Sequence, residues 1–377
     1  MGQLLGRLLR PSLDWLLVFA PVALGLEWAH HLGHAWATPT WIFVTASLAV
    51  IPVAGWMGHA TEHLAEHLGE GIGGLLNATF GNAAELIIAA LALWAAARQP
   101  EQAETMHEIV KASLTGSIIG NALLVLGLAL LLGGARHRVQ SFNVTASRTS
   151  ATLMTLAVVG LLIPDMFIHL APEAQGMVQA LSREVAVLLL VAYALSLLFS
   201  LHTHKHLYVG EPAAAEALTT EHHVWSVKKA LSILLIATVA IGVLAEVMIG
   251  SVDEAARTFG FSDVFVGVIV VAIVGNAAEH STAVVAAWNN RMDLSMGIAI
   301  GSSIQIALFV APVLALLSHA LGAPMNLVFT PAEIAAMGIS VYLVHQISGD
   351  GQSNWLEGIM LLLVYALLAI LFFHLPG

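Results

Sequence analysis

Apolar runs of about 20 residues, separated by short polar breaks, account for most of the chain. A helix of about that length crosses a hydrocarbon core. The runs near 13–33, 39–58, 74–97, 110–134, 148–170, 182–201, 228–250, 262–288, 294–319, 328–347 and 355–375 therefore predict eleven transmembrane helices. None has the period-two alternation of a barrel strand, and lipid leaves no partner for an open backbone group, so the expected fold is an all-α polytopic membrane protein. The first run ends in Glu27, His30, His31 and His34, which blurs its boundary.

The longest polar break, residues 202–227, is the natural linker between two halves. Setting the first span aside leaves five on each side. The pentapeptide Gly-Asn-Ala-Ala-Glu falls on the second span of each five, at Gly81–Glu85 and Gly275–Glu279. An odd number of spans per repeat forces the copies into opposite orientations, the inverted-repeat plan of secondary transporters. The expected division is a leading helix (1–36), a first five-helix repeat (37–201), a cytoplasmic linker (202–227) and a second five-helix repeat (228–377). The likeness continues into the following spans, which open with Gly116-Ser117 and Gly301-Ser302 and carry the amides Asn121 and Gln305.

Composition agrees with membrane residence and narrows the chemistry. With 58% hydrophobic and 10% charged residues among 377, there is too little polar surface to cover a soluble globule. The absence of cysteine excludes disulfides, thiolate metal sites and thiol catalysis. A net charge of -11, with 13 Lys and Arg, leaves no basic patch for nucleic acid and fits cation handling. With the N-terminus inside, Arg7, Arg10, Arg136, Arg138, Arg148, Lys205, Lys228, Lys229 and Arg291 are cytoplasmic. Only Arg98, Lys111, Arg183 and Arg257 then lie outside, and the C-terminus is outside too. The N-terminus has no signal-peptide cleavage site and is read as mature sequence.

Glu85 and Glu279 sit where hydrocarbon belongs, at a cost of several kcal/mol each. Residues three apart share a helix face, which aligns Asn82 with Glu85, Asn276 with Glu279, and Ser302 with Gln305. Two carboxylates cancel the charge of Ca²⁺, a hard cation that takes about 6–8 oxygens, and amide and backbone carbonyls can supply the rest. Gly81 and Gly275 are expected to loosen the helix and free such carbonyls, with Asn77-Ala78-Thr79-Phe80 compatible with a break. Desolvation and a like-charged neighbour both favour the protonated form of a carboxyl group, so protons and Ca²⁺ compete for the pair. A site that reorients holding either, never both, is an antiporter. His280 is a candidate proton relay.

Structural readings stand beside these. A single intramembrane glutamate can serve as a helix–helix hydrogen-bond partner, and Ser117 and Asn121 can be packing notches. Glu246 reads as interfacial, with lining of the ion path as its alternative. His63-Leu64-Ala65-Glu66-His67 matches the H-x-x-E-H pattern of a zinc peptidase, with Glu66 as base, though no third ligand follows. The same segment reads as an amphipathic interfacial helix with Leu64 and Leu68 on its apolar side, where Glu62, Glu66 and Glu70 form a cytoplasmic vestibule that attracts cations. His202, His204 and His206, with His222 and His223, read as solvated loop or as a pH or metal sensor.

Two long ordered motifs carry a family resemblance: Gly74–Leu93 continuing into Ala112–Gly134, and Gly275–Leu314. On them the chain resembles the calcium/proton antiporters of the cation-exchanger family, within the wider cation/calcium antiporter group. The resemblance implies one leading helix plus two inverted five-helix halves. It implies that Glu85 and Glu279 bind Ca²⁺ and exchange it for protons, with Asn82, Asn276, Ser302 and Gln305 completing or lining the site. Ca²⁺ and H⁺ are then cargo, with no cofactor, and the setting is a bacterial cytoplasmic membrane. The family's linker often carries an acidic helix, whereas Glu211, Glu216 and Glu221 here are sparse. A sodium-coupled calcium exchanger is the runner-up, and a cation channel or an intramembrane zinc peptidase is the alternative of another class.

Overall fold

The structure, a computed structural model, describes residues 13–204, 207 and 225–375, with the backbone alone at 69–78, 263 and 278. A 3₁₀ turn, Leu13–Val18, leads into α1 (Phe19–His31), followed by α2 (Pro39–Phe80) and α3 (Ala83–Arg98). α4 (Ala103–Ile119) and α5 (Leu126–His137) are joined by a π-helical turn at Gly120–Val125. Then come α6 (Val144–Leu170), α7 (Val178–Leu198) and α8 (Val227–Phe259). A π-helical turn at Val266–Val271 precedes α9 (Ala272–Trp288). α10 (Met292–Gln305) and α11 (Ala311–Ala320) flank a further π-helical turn, Ile306–Val310, and α12 (Pro331–Ile347) and α13 (Trp355–His374) close the chain. The described strands, β1 (Gln140–Ser141) and β2 (Gln352–Ser353), form one antiparallel pair.

Every expected apolar run coincides with helix, but not every helix spans by its own length. Among the described residues, eight helices are long and apolar enough to cross a membrane, and nine if a bent pair is taken as one span. The remainder are short: α3 has 16 residues and α12 has 17. The bent pair is Val266–Ala277 with Glu279–Trp288, turned by 66°. The break between the runs at 39–58 and 74–97 also falls elsewhere than expected. Helix continues through His59–His67 to Phe80, and the turn lies at Gly81–Asn82, inside the first motif.

Helix ends are set by local chemistry. Asn143 caps α6 by accepting from the Ala146 amide, Thr330 and Asn354 form capping boxes with Glu333 and Glu357, and left-handed Gly260 (φ 72°) stops α8. The inter-helix contacts separate the loops into two faces. At one, Lys111 bonds the Val328 carbonyl, Gln179 the Pro324 carbonyl, and the Leu327 amide the Ser182 hydroxyl. At the other, Gln140 pairs with Ser353, Arg136 and His137 bond the Trp288 carbonyl, and Arg148 bonds the Gly349 carbonyl. The nine tryptophans follow this division: Trp28, Trp36, Trp41 and Trp94 lie towards the first face, and Trp15, Trp56, Trp225, Trp288 and Trp355 towards the second. Two such aromatic belts mark the two membrane–water interfaces.

Burial sorts the helices into centre and rim. The stretch Pro100–His137 is 72% buried over its apolar window and Met292–Ala320 is 67%, against 11% for Leu13–His31 and 22% for Pro172–Thr203. The central pair carries the two Gly-Ser motifs. Close approach there depends on glycine: a Cβ on Gly116 would collide with the Val268 backbone, and one on Gly267 would crowd Ala112.

Candidate functional site

Both pentapeptides lie against this centre. The first opens α3, so that Gly81 and Asn82 form the turn and Glu85 sits in the first helical turn, where backbone N–H groups and the helix dipole favour negative charge. The second lies within α9. There the bend falls between Ala277 and Glu279, past Gly275, which remains in continuous helix. Gly275 has a different use from the loosening expected of it. A Cβ there would stand 3.3 Å from Glu85 Oε1, so the missing side chain lets the two motifs touch.

Glu85 is buried, and Glu279 is partly exposed with its Oε2 buried. Their charges are close enough to interact directly. Each carboxylate keeps one buried oxygen, Oε2, without a hydrogen-bond partner. Two unsatisfied carboxylate oxygens in a buried, like-charged pair form an arrangement that a cation or protons would satisfy.

The amides are bonded across the halves. Asn82 donates to Gln305 and accepts from the Ser302 hydroxyl at 2.9 Å. Asn276 donates to the Ser117 hydroxyl at 2.8 Å and to the Ala272 carbonyl at 2.9 Å, and accepts from Asn121 at 3.4 Å. Each motif asparagine is therefore clasped by the Gly-Ser helix of the opposite half. Ser117 and Asn121, read from sequence either as notches or as site groups, are buried members of this network. Ser302 is also within hydrogen-bonding reach of Glu279. His280 joins at one remove, its Nε2 being 3.1 Å from Asn121 Oδ1. Ser303, which the sequence reading passed over, donates to the Ile118 and Ala299 carbonyls at 3.2 Å and ties α10 to α4. The doubled serine in Gly301-Ser302-Ser303 was its only sequence signal.

The acidic segment of α2 divides. Glu62 and Glu66 are exposed, and Glu62 is close enough to act electrostatically on Glu279. The side chain of Glu70 lies outside the described residues, as do Asn77, His206, His222, His223 and the linker acids. Leu64 is buried as its apolar face requires, whereas Leu68 is 43% exposed. The residues of the zinc-peptidase pattern have other engagements: His63 stacks on Trp225 with ring centroids 4.5 Å apart, and His67 donates to the Trp225 carbonyl at 2.8 Å. Among the described residues, no three His, Asp or Glu side chains gather to hold a metal. Glu246 is exposed on α8, His202 is exposed, and His204 stacks on Phe199.

Known proteins share this sequence and arrangement. The family model described as sodium/calcium exchanger protein matches residues 38–202 and 229–374. A protein of Synechocystis sp. named Ca²⁺/H⁺ antiporter is 45% identical over 374 residues, covering 96% of each chain. One of the same name from Aphanothece halophytica is 43% identical over 372 residues, again with 96% of each covered. The solved structure of native YfkE is 37% identical, covers 96% of this chain and 99% of its own, and superposes with a TM-score of 0.77.

Proposed function

The chain belongs to the sodium/calcium exchanger protein family, and from that premise we propose that it exchanges Ca²⁺ for H⁺ across a membrane by alternating access. The observation that carries this reading is the meeting of Glu85 and Glu279, one from each half, each with an unpartnered carboxylate oxygen. Ca²⁺ is the cargo of the deprotonated pair. The carbonyl oxygens of Asn82 and Asn276 add ligands once they exchange Ser302 and Asn121 for the ion, and Gln305 and Ser117 hold the amides in register. Protonation of the same pair displaces the ion and neutralises the charge, which lets the site reorient at low cost in either loaded state. His280, bonded to Asn121, passes or senses the proton. Gly81 and Gly275 act by different means, the first by opening the helix and the second by admitting Glu85.

The two halves are inverted five-helix repeats, 37–201 and 228–377, behind a leading helix and joined by the linker. On the positive-inside bias of the basic residues, the N-terminus and the face of Gln140, Arg148 and Trp225 are cytoplasmic in this reading, and the C-terminus is outside. Glu62 and Glu66 then gather Ca²⁺ at the inner mouth, and the ion leaves the cytoplasm as protons enter. The membrane is the cytoplasmic membrane of a bacterium.

Radioactive calcium uptake into proteoliposomes, under an imposed pH gradient with and without sodium, tests the reading. Uptake should follow the pH gradient and ignore sodium, and Glu85→Gln or Glu279→Gln should reduce it about 100-fold or more while the protein remains folded. Uptake that ignores pH and follows sodium would overturn it in favour of sodium coupling.

A further inference from the structure

A second polar seam lies away from the central carboxylates, between α4 and α12, at the face of Val328 and Pro324. On α4, His107, Lys111 and Thr115 follow at four-residue spacing and share one stripe. Glu333, in the first turn of α12, is 3% exposed and faces that stripe. Its Oε2 accepts from the Thr330 amide at 2.8 Å to complete the capping box. Its Oε1 is buried with no partner. The Thr115 hydroxyl, fully buried, approaches the carboxyl group without closing a hydrogen bond. Lys111 donates to the Val328 carbonyl at 2.9 Å and is close enough to Glu333 for their charges to attract. Further out, the His107 ring lies near the Ala323 backbone, and its Nε2 is buried without a partner.

A cap needs only one of the two carboxylate oxygens, and a neutral glutamine would serve it as well. Three orphaned polar atoms gathered along one seam, on Glu333, Thr115 and His107, call for water. A carboxylate with a free oxygen beside a hydroxyl and water can take up and release a proton. The ammonium of Lys111 makes the same place hostile to a divalent cation. We propose that Glu333, with Thr115 and Lys111, is a proton-holding site reached through water past His107, separate from the place where Glu85 and Glu279 receive Ca²⁺.

The proposal rests on the antiport reading and adds a proton station to it. The charged groups around Glu333 are few. From α4 come Lys111 and His107, with Glu104 and Glu108 acting on Lys111. The helices packed on α12 bring Asp165 and His169 of α6, paired at 3.7 Å, and His374 at the end of α13, whereas Glu357 lies at the opposite end of α13.

The test uses the full-length protein in vesicles of uniform orientation. Radioactive calcium flux is followed while pH is varied only on the face of the 321–330 loop. Glu333→Gln, which keeps an acceptor for the cap, should move the midpoint of the flux–pH curve by about one pH unit or more. The KM for Ca²⁺ on the opposite face should stay within about twofold of the parent. Thr115→Val and Lys111→Met should also move the midpoint, and they decide the matter if Glu333→Gln fails to fold. Curves that overlay the parent's in the variants that fold overturn the proposal alone. A parent with no pH-driven flux removes the antiport reading and this proposal with it.

Discussion

Neither motif asparagine bonds the glutamate three residues after it; both are held by serine and amide groups more than 150 positions away. Asn276→Ala would strand Ser117 and Asn121 in a buried setting, at about 1–3 kcal/mol. A fall in melting temperature, together with weaker Ca²⁺ binding, should be measurable on the purified protein. Gly275→Ala is a finer probe. Its new Cβ requires Glu85 to yield by a few tenths of an ångström. The KM for Ca²⁺ should rise about tenfold with little change in melting temperature, and an unchanged KM would show that Glu85 has slack. The two glutamates were readable in the sequence because a charge inside an apolar run stands out. The cross-half pairings were not, nor was the reach of Glu62 to Glu279, because serine and asparagine are unremarkable one at a time and helical spacing says nothing about another helix.

Among the elements, the approach of α4 to the turn before α9 is set by Gly116 and Gly267. Gly116→Ala would press a methyl into the Val268 backbone, which cannot rotate away. A loss of about 1–3 kcal/mol of stability is expected, as for an overpacked core. Gly297→Ala in α10 is the control: nothing lies within 4 Å of its Cβ position, and replacing a helical glycine there should be neutral or stabilising by up to about 1 kcal/mol. Thermal unfolding of the two variants in the same detergent separates them. The apolar runs announced every helix. Their interruptions were less visible, because the π-helical turns at Gly120–Val125, Val266–Val271 and Ile306–Val310 have sequences as apolar as their flanks, and packing alone decides where an extra residue is taken into a turn. The first motif breaks its helix and the second only bends, although the five residues are the same. Identical local propensity has been overridden by different surroundings.

For the whole molecule, the competition between proton and calcium fixes the sign of one pH effect. On the proposed site, acidifying the face that loads Ca²⁺ protonates the carboxylate pair, so the apparent KM for Ca²⁺ should rise while the maximal rate at saturating Ca²⁺ is largely kept. Initial rates at several calcium concentrations and two pH values would show this. A maximal rate that falls with no change in KM would place the titrating group elsewhere. The all-helical membrane fold was plain in the sequence from the apolar runs, whereas the two-faced division of the loops needed the contacts of Gln140, Arg136 and Lys111.

The reciprocal clasp of the asparagines bears on how far such a protein can be cut down. A fragment ending at the linker would carry one acid and one amide whose mates reside in the missing piece, so neither fragment alone would complete the proposed ion site. Co-expressed fragments should reunite through these bonds, and on the proposed inverted-repeat plan a shorter ancestor made of a single half would have had to pair with an upside-down copy of itself.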